Sequence, residues 1–305
     1  MTPPASDGEN PERAKPGVRR NRRKRWLRLL LPAAAVIATG IFLIAAHLRA
    51  EARKIAVHEI ELEFPQWSGN VLRVALLSDL HIGTEQEELE RLGAAVEKVN
   101  RLRPDLILLL GDYVAGFFPA QSAPPEAIAA KLGKLDATLG VWAVLGNHDR
   151  WQGAEKVRAA LEKQGIRFLE NERTELEFRG TRFHLIGASD TSFRTPPDWS
   201  VLLPPEEEPE ARLVMTHSPD AFDSLPDRPL VGVAGHTHGG QIRLPLLGAP
   251  AIPSRFGQRY AYGVVREGNR TFYITAGLGT STLPWRFNCP PEIALIELRS
   301  PGEKP

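Results

Sequence analysis

The chain has 305 residues, of which 42% are hydrophobic and 25% are charged, so it is long enough to form one large hydrophobic core. Its single cysteine, Cys289, excludes an intrachain disulfide. The net charge of +1 conceals a basic tail, residues 1–28, with nine Lys or Arg and three Asp or Glu. The remainder has 29 basic and 34 acidic residues, which argues against a nucleic-acid-binding face and predicts no nucleic-acid partner.

An uncharged segment, residues 29–48, follows the basic tail. A helix of this length spans about 30 Å, the thickness of a bilayer's hydrocarbon core. The nine basic residues before it, against three closely after it, predict a single-pass anchor with the tail in the cytoplasm and the main domain outside. A cytoplasmic domain and a cleaved signal peptide are the alternatives, although the apolar run is long for a signal peptide and the best cleavage site, at 48–50, is poor.

These features divide the chain into five segments. They are a basic, largely disordered cytoplasmic tail (1–28), the transmembrane anchor (29–48), a short polar linker (49–55), one folded domain (56–299) and a C-terminal tail (300–305). The disorder is predicted from the Pro, Glu and Ser residues of the first 18 positions, which provide little to bury in a hydrophobic core.

Short apolar runs alternate with helical patterns along the folded domain. The runs predict buried strands over 71–77, 105–110, 140–145, 181–186, 212–215, 230–234, 271–275 and 292–298. Apolar residues at spacings of three and four predict helices over 85–102, 125–136 and 153–164. Strands that alternate with helices in this way predict an α/β fold.

A polar, glycine-rich cluster follows almost every predicted strand. The clusters include SDLH (78–81), GDY (111–113), GNHD (146–149), THS (216–218) and GHTH (235–238). Because open α/β sheets bind ligands at the carboxyl ends of their strands, we expect these clusters to share one edge of the fold. Their candidate functional residues are Asp79, His81, Asp112, Asn147, His148, Asp149, His217, His236 and His238.

The residue types in these clusters indicate a metal site. Carboxylate, imidazole and amide oxygen are ligands for Mn, Zn or Fe. Side chains at i and i+2 of an extended chain share a face, so Asp79 should project with His81, and His236 with His238. Seven donors suffice for two divalent ions if the Asp112 carboxylate bridges them, and two such ions can clamp a phosphoryl group and activate water.

One histidine of the clusters is not needed as a ligand. His148 lies between Asn147, a candidate ligand, and Asp149, whose carboxylate is expected to orient the imidazole. An imidazole in this position can protonate a leaving-group oxygen, which suits the hydrolysis of a phosphate ester.

The five clusters in this order resemble the signature of calcineurin-like metallophosphoesterases, over roughly residues 71–240. The strings GHTHGGQIRLP (235–245) and GLGTSTLPWRFNCPPEI (277–293) are similar to the bacterial membrane-associated branch of that superfamily, the YaeI/YkuE-like proteins. The resemblance implies a four-layer α-β-β-α sandwich, with two sheets face to face and helices outside, here preceded by one N-terminal transmembrane helix.

The resemblance also implies a role for each site residue. It places Asp79, His81, Asp112 and His238 on one ion, and Asp112, Asn147, His217 and His236 on the other. It makes His148 the general acid, supported by Asp149. The metals implied are two divalent ions, Mn, Zn or Fe, and no substrate-binding residue is assigned.

The function expected from these residues is that of a membrane-anchored, dinuclear-metal phosphoesterase. Its partners would be a phosphate-ester substrate, with lipid-linked esters among the candidates, and the membrane itself. One alternative is the hydrolysis of the pyrophosphate of UDP-2,3-diacylglucosamine, a lipid A precursor that some relatives of this branch cleave. The other alternative is a degenerate, non-enzymatic scaffold of the same fold.

Several further residues leave their role open or point to structure. His58 and His184 lie within predicted strands without companion ligands and are expected to be structural, whereas Asp190 is ambiguous. The apolar segments GFFPA (116–120) and LPLLGAPAIP (244–253) form either local packing or an apolar rim that takes an acyl chain. Arg243 and Arg286 are candidates for binding substrate phosphate.

Overall fold

Two six-stranded β-sheets form the folded domain in the computed structural model of the protein. The structure describes residues 17–116, 121–190, 196–204 and 210–302, with side chains from residue 30 onward. Nearly all of the apolar segment GFFPA therefore lies outside the described residues. The chain divides after His47 into two units, and the sheets belong to the second.

Twelve strands and five α-helices occur in the described part of the chain. The strands are β1 Ala56–Glu63, β2 Leu72–Leu77, β3 Leu106–Leu109, β4 Val141–Ala143, β5 Arg167–Phe168, β6 Glu172–Phe178, β7 Thr181–Ala188, β8 Ala211–Thr216, β9 Leu230–Ala234, β10 Gly263–Glu267, β11 Arg270–Ile274 and β12 Glu292–Arg299. The helices are α1 Gly17–Glu51, α2 Gln86–Leu102, α3 Pro125–Leu132, α4 Asn147–Glu162 and α5 Trp199–Leu202.

Each of the two sheets contains four neighbouring parallel strands. The first has the order β1-β12-β2-β3-β4-β5, and the second has the order β10-β11-β9-β8-β7-β6. Strands β2 to β5 are parallel to one another, and so are β7, β8, β9 and β11. Parallel neighbours end at the same edge of a sheet, so the loops after β2, β3, β4, β8 and β9 can meet there.

Three hydrophobic clusters separate four layers. The cluster between the sheets joins Leu76 and Leu108 of the first sheet to Leu213 and Val231 of the second, and all four side chains are fully or almost fully buried. Helices α2, α3 and α4 cover the outer face of the first sheet. On the second sheet, α5 and the 3₁₀ turn Pro219–Ser224 take that position. The predicted α-β-β-α sandwich is confirmed, with short helices forming its second outer layer.

The eight predicted strands all form, each within two residues of the expected ends. The helices predicted over 85–102 and 125–136 correspond to α2 and α3. The helix predicted over 153–164 begins earlier, at Asn147. Its first turn is separated from the predicted part by Gly153, whose φ of 115° interrupts the helical geometry. The sequence pattern could show only the regular turns after that interruption.

Helix α1 differs from the predicted tail and linker at both ends. It begins at Gly17, within the predicted tail 1–28, and residues 1–16 lie outside the described part of the chain. The run of Arg and Lys consists of good helix formers that can extend a helix formed further along the chain. At the other end α1 continues to Glu51, into the predicted linker 49–55.

Within α1, residues Leu30–Glu51 are long and apolar enough to cross a membrane. This is the one candidate span among the described residues, and it overlaps the predicted anchor 29–48.

Candidate metal centre

The loops at the carboxyl ends of five strands bring the predicted site residues together. Asp79 and His81 follow β2, Asp112 follows β3, and the residues from Asn147 follow β4 in the first turn of α4. His217 follows β8, and His236 and His238 follow β9. Apart from the half-buried His236, each of the nine side chains is at most 6% exposed. The sandwich therefore encloses polar groups that need strong partners.

One group of donors consists of Asp79, His81 and His238. A ligand atom of each lies within 4.8 Å of the others. The Nε2 atoms of His81 and His238 are 3.1 Å apart, and His238 Nε2 lies 3.5 Å from Asp79 Oδ1.

A second group consists of Asp112, His217 and His236, with Asn147 beside it. Nε2 of His217 lies 3.1 Å from Nδ1 of His236 and 3.1 Å from Oδ1 of Asn147. Oδ2 of Asp112 lies 3.3 Å from His217 Nε2 and 3.5 Å from His81 Nε2 of the first group. Asp112 is thus the carboxylate between the two groups, the position expected of a bridging ligand.

Five of the candidate ligands adopt left-handed backbone conformations. They are Asp79 (φ 53°), His81 (φ 44°), Asp112 (φ 57°), His236 (φ 69°) and His238 (φ 53°). Such conformations cost roughly 1–3 kcal/mol each for residues other than glycine and are concentrated at functional sites. Asp79 and His81 do share one donor group, as predicted, but the extended i, i+2 geometry on which the prediction rested is absent. For His236 and His238 the prediction was wrong, because their rings enter different groups.

Two glycines make room for Asp79. A Cβ atom on Gly235 would lie 2.6 Å from Asp79 Oδ2, and one on Gly277, whose φ is 67°, would lie 2.7 Å from Asp79 Cβ. No side chain fits at either distance, so only glycine lets both loops approach this carboxylate.

The carboxylate of Asp149 holds backbone rather than the neighbouring imidazole. Its Oδ2 accepts the N–H groups of Asp112 at 2.8 Å and Gly146 at 2.9 Å, and its Oδ1 accepts that of Tyr113 at 2.8 Å. The oxygen that faces Nδ1 of His148 is the carbonyl of Gly116, at 2.8 Å. Asp149 thus fixes the loop that carries Asp112, and its expected support of His148 stays a prediction.

Carbonyl oxygens set the tautomers of two imidazoles. A carbonyl can only accept, so Nδ1 of His148 carries a proton that it donates to Gly116. In the same way, Nδ1 of His217 donates to the carbonyl of Leu110 at 2.7 Å. In both rings this leaves Nε2 as the nitrogen that can accept a proton or a metal ion.

Burial and mutual charge shift the ionisation of the site residues. Burial raises the pKa of Asp79 to about 6, and burial together with the Asp112 charge raises that of Asp149 to about 7. Burial lowers the pKa of His81 to about 4. For Asp112 and His217 burial is outweighed by their attraction, so the pKa of the carboxyl falls below its usual range and that of the imidazole rises well above it. Shifts of this size cluster at functional sites.

The guanidinium of Arg286 is engaged with the backbone, which argues against the sequence-based hypothesis that it binds substrate phosphate. Its side chain is fully buried, and its guanidinium donates to the carbonyl oxygens of Ala276 at 2.7 Å, Gly279 at 2.6 Å and Cys289 at 3.0 Å. Arg243 is half-buried, donates to the carbonyl of Gly239 at 3.1 Å and lies over the ring of Tyr262.

His58, His184 and Asp190 lie in three different surroundings. His58 pairs with the buried carboxylate of Glu292, 2.6 Å away, in agreement with a structural role. His184 has two companions that the sequence did not reveal, Glu175 across the β6–β7 pair and Glu210. Asp190 is fully buried, and its charge helps to raise the pKa of His217.

The loop after His238 exposes its apolar tip. Leu246 and Leu247 are exposed, whereas Ala249 of the same loop is buried. The segment 244–253 is thus partly packed and partly open to its surroundings.

More than half of the sequence matches a known protein family. The family model described as calcineurin-like phosphoesterase matches residues 72–240. This range is more than half of the chain, and it contains all nine of the residues that meet at the carboxyl edge of the sheets.

Three curated proteins show the extent of the similarity. Phosphodiesterase YaeI of Escherichia coli (strain K12) is 35% identical over 233 residues, 74% of this chain and 82% of the relative. The uncharacterized metallophosphoesterase YkuE of Bacillus subtilis (strain 168) is 29% identical over 273 residues, 88% and 94% of the two chains. A transmembrane protein with metallophosphoesterase domain from Danio rerio is 29% identical over 290 residues, 87% of this chain and 62% of that one.

Proposed function

The chain belongs to the calcineurin-like phosphoesterases, as its motifs indicated, and from this membership we propose that it hydrolyses phosphodiester bonds with two divalent cations. The observation that carries the proposal is the position of Asp112, within 3.5 Å of imidazoles from both donor groups. A relative that is 35% identical is named a phosphodiesterase, which favours diesters as the substrate class.

The donor set fits divalent metal ions of borderline hardness. Imidazole nitrogens, carboxylate oxygens and one amide oxygen suit Mn, Fe or Zn. We assign Asp79, His81, Asp112 and His238 to one ion, and Asp112, Asn147, His217 and His236 to the other. When bound, such ions supply Lewis-acid polarisation of the phosphoryl oxygens and lower the pKa of water.

The chain's own groups position the reaction and move its protons. The N–H that His217 donates to Leu110 fixes the ring so that Nε2 faces Asp112 and Asn147. Nε2 of His148 is the exchangeable nitrogen, because Nδ1 is engaged with Gly116. We assign to this nitrogen the proton that is delivered to the departing oxygen.

The decisive experiment replaces the carboxylate between the two groups. We expect Asp112→Ala to lose metal binding, measured by elemental analysis after reconstitution, and to lose hydrolysis of bis-p-nitrophenyl phosphate. The matched control is Asp136→Ala, because Asp136 is exposed and lies outside the centre. Mn, Fe and Zn are tested separately, since manganese is only one of the candidates. An Asp112→Ala enzyme with full activity would contradict the proposal.

A membrane location and a lipid-linked ester are the finer parts of the proposal. The span Leu30–Glu51 and the exposed Leu246 and Leu247 support them, since apolar groups at a site rim favour an acyl chain. Hydrolysis of UDP-2,3-diacylglucosamine is the competing substrate assignment. It requires a domain on the cytoplasmic side, where nucleotide-linked precursors are found.

A further inference from the structure

A polar cavity is lined by residues outside the metal centre. Its volume is about 350 Å³, within the range of about 300–1,000 Å³ that small-molecule sites occupy. It lies between the end of α1, the start of α2 and the segment 280–284. Its charged lining consists of Arg49, Arg53, Arg91, Glu85, Glu87 and Glu88. Three guanidinium groups and three carboxylates make the lining neutral in sum but rich in both signs.

Two of these charges have no partner within the described part of the chain. Neither the guanidinium of Arg49 nor the carboxylate of Glu85 takes part there in a hydrogen bond or ion pair. Arg53 and Glu87 pair at 3.3 Å, but their side chains are 63% and 62% exposed, and ion pairs this exposed are weak. One cation and one anion are therefore available to a ligand, and a second cation can exchange its partner.

The other two charges anchor the walls of the cavity. Arg91 donates from Nη1 to the carbonyl of Ala52 at 3.3 Å, which ties α2 to the end of α1. Glu88 accepts the N–H of Gly83, two residues after the candidate ligand His81. Burial lowers the pKa of Arg91 and raises that of Glu88. These two groups are therefore engaged with the walls of the cavity.

The position of Arg49 in the chain indicates where a ligand would come from. Arg49 lies in the last turn of α1, at the end of the segment Leu30–Glu51 that is able to span a membrane. Basic side chains at the end of a span lie at the level of the lipid headgroups. A ligand of this cavity would therefore come from the bilayer surface, a step that rests on the proposed membrane location.

We propose that the cavity binds the headgroup of a zwitterionic phospholipid with a primary amine, of the phosphatidylethanolamine class. The guanidinium groups of Arg49 and Arg53 bind the phosphate, because their planar donors match its oxygens. The carboxylate of Glu85 accepts hydrogen bonds from the ammonium group, which a quaternary ammonium cannot donate. The equal number of carboxylates disfavours a headgroup with negative charge alone.

The test measures lipid selectivity with the full chain in detergent. Dihexanoyl phosphatidylethanolamine is titrated calorimetrically beside its phosphatidylcholine and phosphatidylglycerol counterparts. We expect the ethanolamine lipid to bind at least about tenfold more tightly, and both Arg49→Ala and Glu85→Gln to remove that preference. Equal affinity for the three lipids, preference for the glycerol lipid, or unchanged selectivity in both variants would each overturn the assignment.

Matched controls separate this site from general surface charge and from soluble ligands. Glu97→Gln and Arg101→Ala alter a highly exposed ion pair elsewhere on α2 and should leave the selectivity unchanged. Glycerophosphoethanolamine, which lacks acyl chains, should bind more weakly than the lipid. If it binds as tightly, the ligand is a soluble phosphoamine and the lipid assignment is wrong.

A parallel assay distinguishes this inference from the phosphodiesterase proposal. Hydrolysis of bis-p-nitrophenyl phosphate by the same preparation reports on the metal centre alone. Selective lipid binding without any hydrolysis would support the cavity and contradict the proposed reaction. Hydrolysis without lipid selectivity would support the proposed reaction and contradict the lipid assignment.

Discussion

At the scale of single residues, a backbone carbonyl determines which nitrogen of His148, the proposed general acid, can exchange a proton. Its Nδ1 is held by Gly116, so only Nε2 can exchange a proton with substrate. We expect His148→Ala to lower kcat for alkyl leaving groups by roughly 10²–10⁴-fold, because these leave poorly without a proton. For p-nitrophenolate, a good leaving group, the loss should be much smaller. A series of phosphodiesters with leaving groups of graded pKa measures the difference.

The control for this series is His184→Ala, because His184 lies on β7, outside the metal centre. Metal content, determined by elemental analysis, should be unchanged in His148→Ala, since the ring is not among the proposed ligands. A loss of equal size for every leaving group would show that His148 is not the acid.

Arg286 gives a second prediction at this scale, because it is a buried cation that serves the backbone. We expect Arg286→Met to lower the free energy of unfolding by about 3–5 kcal/mol, since carbonyls of Ala276, Gly279 and Cys289 lose their donor. Arg286→Lys should rescue little, because one ammonium cannot replace a planar fork of donors. Urea unfolding monitored by circular dichroism measures both variants.

The half-buried Arg243 provides the comparison, and Arg243→Met should cost much less stability because the one described hydrogen bond of its side chain goes to Gly239. If Arg286→Met has wild-type stability and a raised KM, Arg286 takes part in substrate binding instead.

The sequence revealed which side chains form the site but not how the backbone presents them. Asp and His after successive strands are visible as letters, and all nine candidates do meet. The left-handed conformations of His236 and His238 are not visible, since a periodicity argument assumes extended backbone. The hydrogen bonds of Asp149 were equally hidden, because its carboxylate oxygens accept N–H groups from a loop 36 and 37 positions away in the chain.

At the scale of whole elements, a buried carboxylate joins β1, β12 and the segment before β10. Glu292 accepts from Tyr262 at 2.7 Å and pairs with His58 at 2.6 Å, while its other oxygen accepts from Thr275 at 2.7 Å. Hydrogen bonding with Glu292 raises the pKa of His58 above its ordinary value of 6.5. Although burial opposes it, the hydrogen bond from His58 lowers the pKa of Glu292 below 4.5.

This pairing predicts a pH-dependent contribution to stability. A raised histidine pKa stabilises the fold fully below pH 6.5, and the contribution is lost as the pH rises through the folded value. A lowered glutamate pKa stabilises the fold above pH 4.5 and fails as the pH falls through its folded value. We therefore expect His58→Gln to destabilise the protein more at about pH 5.5 than at about pH 8.5.

Urea unfolding of the wild type and of His58→Gln at the two pH values gives this difference directly. His47→Gln serves as the control, because His47 lies in α1, in the other unit of the chain. A His58→Gln effect of the same size at both pH values would show that the pair is not charged in the folded protein.

Some of the elements that the sequence missed have little hydrophobic burial. β6 and β10 form the two antiparallel pairs of the second sheet, β10 at one edge and β6 at the other, and their side chains are mostly exposed or half-buried. Such strands lack the continuous apolar run that identified the eight buried ones. The first turn of α4 was missed for a different reason, since residues 147–149 are polar because they belong to the site.

At the scale of the whole molecule, the distribution of basic residues predicts a topology. Nine Lys or Arg lie in residues 1–28, whereas only Arg49, Arg53 and Lys54 closely follow the span Leu30–Glu51 or end it. The positive-inside rule therefore predicts that the tail stays in the cytoplasm and that the domain is exported. We expect a protease added to intact spheroplasts to digest the domain while an N-terminal epitope tag stays protected.

The same experiment decides between the two substrate assignments. Detergent lysis should expose the tag, which verifies that the protease is active, and a soluble cytoplasmic protein should stay intact until that step. A domain that resists digestion until lysis would lie on the cytoplasmic side, where a nucleotide-linked lipid precursor is available. An exported domain meets no such precursor, so digestion of the domain in intact spheroplasts would contradict the UDP-2,3-diacylglucosamine assignment.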